Sequence, residues 1–404
     1  MRVRIEPGRA CGKISAPPSK SMAHRLLISA AMAEGVSCVR GISDCEDVRA
    51  TLDCMSAMGV KYTVEDDVVT VYGKNPREAM PSAPLSARES GSTLRFFIPI
   101  ALLSGNTTMF LGEGRLMSRP MSVYEEICRE RGLAFIADGN SITVRGPLRG
   151  GKFTVVGNIS SQFISGLLFA LPNLEEDSRI KIIPPVESRS YINLTVSALE
   201  RFGVKVVWED EYTLYIKGGQ KYTATDVTVE GDYSGAAFID ALGLFDGEVE
   251  IDGLAEDSIQ GDRVYREHFA SLLRGTPAIR IDDCPDLGPI LFAVAAAKSG
   301  GIFSGTRRLK IKESDRAAAM AEELTKFGAS VSIYDDKVVV YPADFHKPTQ
   351  LLLGHADHRI VMSLAVLLTL VGGEIDGAEA VKKSYPAFFD DLRALGIEVT
   401  EYEA

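Results

Sequence analysis

The chain has 404 residues, with 44 Lys and Arg against 55 Asp and Glu and a net charge of −11; at roughly 100–200 residues per domain it holds two to four domains, each large enough for its own core. Hydrophobic residues at 46% and charged residues at 25% exclude a disordered or fibrous chain. The acidic balance excludes a dedicated nucleic-acid binder, so any anion must be held by basic residues gathered locally.

Six segments, taken in chain order, share one pattern: a small polar or charged start, about a dozen small and apolar residues, then Gly or Asn. They begin at Ser21 (SMAHRLLISAAMAEG), Ser92 (STLRFFIPIALLSG), Ser161 (SQFISGLLFALPN), Ser234 (SGAAFIDALGLFDG), Leu287 (LGPILFAVAAAKSG) and His358 (HRIVMSLAVLLTLVG). Apolar nearly all round, they predict buried helices. Each is followed by an amphipathic helix closed at Gly59, Gly132, Gly203, Gly275, Gly328 or Gly396, the usual left-handed helix stop. Alternating stretches over 60–72, 134–144, 204–216 and 329–341 predict hairpins. The period is about 70 residues, and the short gap between Ser234 and Leu287 marks the fifth unit as trimmed. The expected fold is α/β: six copies of strand, buried helix, strand, amphipathic helix and hairpin, arranged as two domains of three. A doubly wound sheet is disfavoured because no GxGxxG follows a strand.

Residues 1–10 lack the apolar core of a signal peptide. The longest apolar stretches, 290–297 and 364–371, fall well short of the ~20 residues that span a membrane. Cys11, Cys38, Cys45, Cys54, Cys128 and Cys284 show no CxxC spacing and read as reduced structural thiols of a cytoplasmic protein. Five His without HExxH or CxxC lead us to expect no metal site.

Polar residues cluster at the starts of the six apolar helices: Lys20, Ser21 and Arg25; Gly91, Ser92, Thr93 and Arg95; Ser160, Ser161 and Gln162; Asp232 and Ser234; Asp286; and Asp357, His358 and Arg359. Helix N-termini present unpaired N–H groups and partial positive charge, which suits phosphate and carboxylate. Ser, Thr and Asp cap helices whatever the function. Lys and Arg in a first turn oppose the dipole, so Lys20, Arg25, Arg95 and Arg359 call for an anion. Arg115 and Arg119 in LGEGRLMSRP, the run from Lys310 to Arg316, and Lys382-Lys383 lie on connections, where a solvated charged face is the plain alternative. Gathered in one cleft, Lys20, Arg25, Arg115, Arg316, Arg359 and Lys383 would focus field onto a multiply anionic small molecule.

PPSKSMAHR (17–25), ESGSTLR (89–95), GEGRLMSRP (112–120), SSQF (160–163), IKESDR (311–316), ADHR (356–359) and KKSYP (382–386) together resemble, from end to end and in order, the 5-enolpyruvylshikimate-3-phosphate synthases of the enolpyruvyl transferase family. The resemblance implies two domains of three βαβαββ repeats hinged around a central cleft, one comprising 1–18 with 230–404 and the other 19–229. It implies transfer of the carboxyvinyl group of phosphoenolpyruvate to the 5-hydroxyl of shikimate 3-phosphate, with release of phosphate and no cofactor. By motif, shikimate 3-phosphate would be bound by Lys20, Ser21, Arg25, Ser160, Ser161, Gln162, Ser188, Tyr191, Asp286 and Lys312. Phosphoenolpyruvate would be bound by Lys20, Gly91, Arg115, Gln162, Arg316, Arg359 and Lys383. Lys20, Asp286 and Glu313 would move protons. Guanidinium forks suit carboxylate and phosphate, and Gly91 admits close backbone approach. Glu89 and Arg308 depart from the family pattern, each standing where Asn is expected. A monomer free of nucleic-acid and membrane partners is expected.

Two rivals differ in testable ways. The sister enzymes that use UDP-N-acetylglucosamine carry a catalytic Cys in the loop matching residues 112–120, where this chain has none. A non-catalytic anion-binding module would have no use for Asp286 and Glu313 beside the basic cluster, beyond helix capping.

Overall fold

The computed structural model describes residues 1–78 and 81–403. The chain divides into two compact units, Lys20–Glu230 and Met1–Ser19 with Gly231–Ala404. Each has its own apolar core.

In Lys20–Glu230 the helices alternate between buried and amphipathic. They are α1 (Lys20–Met32), α2 (Glu46–Ala57), α3 (Gly91–Ala101), α4 (Ser122–Glu130), α5 (Ser161–Ala170) and α6 (Arg189–Arg201). Every residue of α1 from Met22 onward is buried, as is every residue of α3 except Ser92 and of α5 except Gln162. The exceptions are the polar residues at the helix starts. Each repeat builds a four-stranded sheet. In the third, Gly151–Val156 runs parallel to Ser178–Ile183, which pairs antiparallel with Thr213–Ile216, and Val206–Trp208 lies outermost. The hairpins expected at 60–72, 134–144 and 204–216 form as Lys61–Glu65/Val68–Gly73, Ala134–Ala137/Ser141–Arg145 and Val206–Trp208/Thr213–Ile216. The first repeat takes its opening strand from the far end of the unit, where Val227–Thr228 pairs parallel with Val39 and Arg40.

The second unit carries α7 (Tyr233–Asp240), α8 (Tyr265–Arg274), α9 (Gly288–Ala297), α10 (Arg316–Lys326), α11 (His358–Val371) and α12 (Phe388–Ala394). Here the trimmed repeat is the fourth, which corrects the expectation that it would be the fifth. After α8 the chain passes Gly275 directly into Ala278–Arg280 with no hairpin between. Gly275 accordingly has φ 157, whereas the other five helix-closing glycines are left-handed, with φ from 64 to 96. The missing strands come from the start of the chain. Cys11–Ser15 pairs parallel with Glu248–Asp252 of the fourth repeat. Arg2–Ile5 lies antiparallel between Gly373–Asp376 and Val399–Tyr402 of the sixth. The fifth repeat is complete, with its hairpin at Ser330–Ile333 and Lys337–Tyr341. At the crossing points, Pro18 pairs with Gly231 and the Asp232 N–H donates to the Pro17 carbonyl at 2.7 Å. No helix among the described residues is long and apolar enough to cross a membrane.

Within Lys20–Glu230, α3 and α5 pack closely at Gly166. The Tyr124 hydroxyl of α4 donates to the carbonyls of Arg95 (2.7 Å) and Phe163 (3.0 Å), one on each helix. A Cβ at Gly166 would lie 2.2 Å from that hydroxyl and 2.3 Å from the Arg95 carbonyl, so no side chain fits. Gly166→Ala is expected to destabilise the protein by about 1–3 kcal/mol through overpacking, read as a lowered denaturant midpoint.

Candidate active site

In Lys20–Glu230 the starts of α1, α3 and α5 bring a polar group together. Lys20, the first residue of α1, donates to Asp47 in the first turn of α2 at 2.8 Å, with both side chains largely buried. Arg25, one turn further, is wholly enclosed. It donates from Nε to Thr195 Oγ1 (2.8 Å), from Nη1 to the Ser21 carbonyl (2.6 Å) and from Nη2 to the Tyr191 carbonyl (3.0 Å), and lies 5.2 Å from the Phe96 ring. Burial pulls its pKa down to about 10, which leaves it charged at neutral pH. The α1, α2 and α3 starts are tied by a buried chain: His24 Nδ1 pairs with Thr51 Oγ1 (2.6 Å), Thr51 with Thr93 (2.9 Å), and Thr93 donates to Ser90 Oγ (2.8 Å), the N-cap of α3. Burial, aided by the charges of Lys20 and Arg25, holds His24 well below the usual histidine range, so the ring is neutral.

At α3 and α5, Arg95 donates to Gln162 Oε1 (2.6 Å) and to the Pro120 carbonyl (3.2 Å), and Gln162 Nε2 donates to Ser92 Oγ (2.9 Å). Ser160 caps α5, Ser161 is buried in its first turn, and Ser188, with φ 56, precedes α6. A Cβ at Gly91 would sit 2.9 Å from Arg119 Nη1, 3.1 Å from Arg95 Nη1 and 3.6 Å from Gln162 Oε1. The absence of a side chain at Gly91 lets two guanidinium groups approach the backbone, and any Cβ there would push the Arg119 head aside. The structure brings Arg119 to this point, whereas Arg115 is exposed four residues earlier in the same loop. The Glu89 carboxyl lies against the turn at Gly114, about 3 Å from where a Cβ there would be.

In the other unit Asp286 is the centre. It lies in the single turn Pro285–Leu287 before α9, and its carboxylate accepts from Lys312 Nζ (3.2 Å), Arg316 Nη1 (2.7 Å) and Arg359 Nη2 (3.0 Å). Burial pushes its pKa up, but Arg359, Lys312 and Arg316 overcome that and hold it well below the usual carboxylate range. Arg316, 1% exposed, also donates to Asp357 Oδ2 (2.9 Å) and Glu313 Oε2 (2.7 Å). Asp357 caps α11 by accepting the Arg359 N–H (3.0 Å) and takes a further bond from Ser314 (3.0 Å). Arg359 Nη1 reaches Ser234 at the start of α7 (2.7 Å), and Lys383 Nζ donates to the Ala356 carbonyl (2.7 Å). Lys312 is lowered, first by burial and then by the nearby Arg308 and Arg316 against the opposing pull of Asp286. Arg308 is itself buried.

Of the residues expected from sequence, Lys20, Ser21, Arg25, Tyr191, Gly91, Gln162, Ser160 and Ser161 belong to the first group, with Ser188 at the start of α6. Asp286, Lys312, Glu313, Arg316, Arg359 and Lys383 form the second. The first-turn cations meet acceptors within their own units. Arg316 and Arg359 already meet carboxylates of their own unit, Lys20 meets Asp47, and Arg95 meets an amide and a carbonyl oxygen, because a desolvated cation is stable only with acceptors in place. Asp47, Thr195 and the pairing role of Asp357 are not legible in the sequence, and Arg119 shows there only as one of two cations on the 112–120 loop. Asp47 shows only as an acidic first-turn residue, indistinguishable there from a helix-dipole charge.

The family model for EPSP synthase (3-phosphoshikimate 1-carboxyvinyltransferase) matches residues 5–392. Relatives named 3-phosphoshikimate 1-carboxyvinyltransferase from Clostridium perfringens and Clostridium beijerinckii are each 38% identical, covering 98% of this chain and 98% and 97% of their own. A solved EPSP synthase from Acinetobacter baumannii superposes with a TM-score of 0.80 at 23% identity over all of both chains, which shows the shared fold. With the model and the full-length relatives agreeing, the chain belongs to the EPSP synthase family.

Proposed function

We infer that the protein transfers the carboxyvinyl group of phosphoenolpyruvate to the 5-hydroxyl of shikimate 3-phosphate and releases phosphate. Beyond family membership, the observation that supports this reading is the Asp286 carboxylate bonded to three cations, Lys312 just ahead of α10, Arg316 at its start and Arg359 of α11. Arg316, Arg359 and Lys383 then serve phosphoenolpyruvate together with Lys20, Gly91 and Gln162, and Arg119 joins them as a better-placed guanidinium than Arg115. Lys20, Ser21, Arg25, Ser160, Ser161, Gln162, Ser188, Tyr191, Asp286 and Lys312 serve shikimate 3-phosphate.

In the reaction the 5-hydroxyl loses a proton and adds to C2 of phosphoenolpyruvate while the methylene carbon gains one. The resulting methyl group then gives up a proton as the C–O bond to phosphate breaks. Asp286, Glu313 and Lys20 are the groups assigned to these transfers. A carboxylate held as low as Asp286 is a weak base. An arriving phosphoenolpyruvate draws Arg316 and Arg359 toward its own oxygens, which weakens their hold on Asp286 and raises its basicity at the moment it is needed. Substrate binding and base activation are thereby one exchange of ion-pair partners.

Phosphate release from phosphoenolpyruvate, assayed with a chelator present, is expected only when shikimate 3-phosphate is added; no release under any condition overturns the reading. Asp286→Asn keeps the shape and removes the base, and is expected to lower turnover by roughly 10²–10⁴-fold with phosphoenolpyruvate binding retained. Turnover close to the parent's removes Asp286 from the mechanism. Arg359→Lys loses the planar fork that spans Ser234 and Asp286, and is expected to weaken phosphoenolpyruvate binding by about 2–5 kcal/mol, nearly as much as Arg359→Ala. Binding titrations of both variants check this.

A further inference from the structure

We propose that Glu323 and His355 form a positioning clamp that holds the turn leading into α11, and so presets Asp357, Arg359 and Lys383 for the anionic substrate. The inference rests on the function proposed above for those residues.

Glu323 lies near the end of α10, the helix that begins with Arg316, and its side chain has no exposure. Such a carboxylate persists in a core only with its acceptor sites occupied. Its Oε1 pairs with His355 Nε2 at 2.8 Å, and its Oε2 accepts the Leu353 N–H at 3.0 Å. Lys326 reaches both oxygens at 2.9 Å and donates onward to the Leu351 carbonyl at 3.1 Å. One buried carboxylate thus binds the 351–355 segment at three points, one of them through Lys326.

That segment ends in strain. His355 and Ala356 have φ of 50 and 51, and among the described residues they are the only adjacent non-glycine pair in the left-handed region. Side chains there are disfavoured, and such residues persist only where their surroundings over-determine them. The strained pair is coupled to the site on both sides. The Ala356 carbonyl is the acceptor for Lys383, and the next residue, Asp357, holds Arg316 and caps the turn that carries Arg359. If 355–356 relaxed to ordinary dihedrals, the Lys383 acceptor and the Arg316 carboxylate would be displaced together. A simple helix-to-strand tie needs the bond to Leu353 but gives no reason for a strained His-Ala pair beyond it.

Glu322, Glu323 and His355 offer ligand atoms within 4.8 Å of one another, as a metal site would. The Lys326 ammonium, bonded to both Glu323 oxygens, already compensates that carboxylate, so the cluster is an ion-pair knot. The charged groups facing the ring are Glu322, Glu323 and Lys326 of α10. The hydrogen bond to Glu323 raises the His355 pKa above the ordinary histidine value against burial, Glu322 adds to it, and Lys326 opposes it. With the folded-state value raised, the charged clamp is fully formed below the ordinary histidine pKa and is lost as pH rises through the raised one.

The test uses the full chain with His355→Leu, which removes the donor, and His355→Gln, which keeps an uncharged one. At pH 6.5 and saturating shikimate 3-phosphate, the KM for phosphoenolpyruvate is expected to rise about 10-fold in His355→Leu and about 3-fold in His355→Gln, with kcat changing less. For His355→Gln the ratio to the parent at each pH is expected to fall toward one by pH 9. Hydrogen exchange without substrate is expected to speed up about 10-fold at residues 351–357 in His355→Leu and to stay parent-like elsewhere. Parent-like KM and exchange in His355→Leu overturn the clamp; if that variant does not fold, parent-like values in His355→Gln at pH 6.5 overturn it. A parent protein without shikimate 3-phosphate-dependent phosphate release would instead sink the function, while the exchange measurement still decides the clamp.

Discussion

Arg316 is the fixed point of the site-bearing end of its unit. A guanidinium 1% exposed must have its donors met, and they are met by Asp286, Glu313 and Asp357. Those three carboxylates in turn set the positions of Lys312, Arg359, Ser314 and the first turn of α11. Asp286, Glu313 and Asp357 stand against Lys312, Arg316 and Arg359, and the buried Arg308 adds a further cation beside Lys312. The group is a network of built-in counter-charges. A void lined only with positive charge would bind anions more tightly but could not be buried without them.

The repeat supplies the frame for this network. Buried helices place their polar starts at one end of each three-repeat layer, and the irregular segments before the companion helices bring in the remaining cations, as at Lys312 ahead of α10 and Lys383 ahead of α12. Close packing holds these starts in register. Gly166 lets α5 approach α3 so nearly that Tyr124 bridges their backbones, and this same contact fixes the Arg95 carbonyl, on the residue whose side chain meets Gln162.

Most of this frame is legible in the sequence because it rests on local pattern. Segments apolar on every face, such as 288–297, can only be buried helices, and alternation over 330–341 can only be a hairpin. Strand exchange across the chain is not local. Arg2–Ile5 and Cys11–Ser15 complete the sixth and fourth repeats from hundreds of residues away, so spacing alone assigned the trimmed copy to the wrong place. The cations were found because Lys and Arg in a helix's first turn are out of place. The pairing roles of Asp47 and Asp357 are not legible, because an acidic residue there is unremarkable until its neighbour is known. Arg115 and Arg119 lie four residues apart in an irregular loop, where no periodicity selects the one that meets Gly91.

The strand Arg2–Ile5 also sets a timetable for synthesis. It is made long before its two neighbours, Gly373–Asp376 and Val399–Tyr402. At translation rates of roughly 5–20 residues per second it waits on the order of a minute, during which Lys20–Glu230 can be completed and fold around its own core. A nascent strand left open that long is a template for pairing with other chains. Its alternation of Arg2 and Arg4 with the buried Val3 and Ile5 puts charge on one face while it waits, the usual safeguard of an unpartnered strand. The sheet that opens with Arg2–Ile5 can therefore close only after Gly373–Asp376 and Val399–Tyr402 have left the ribosome.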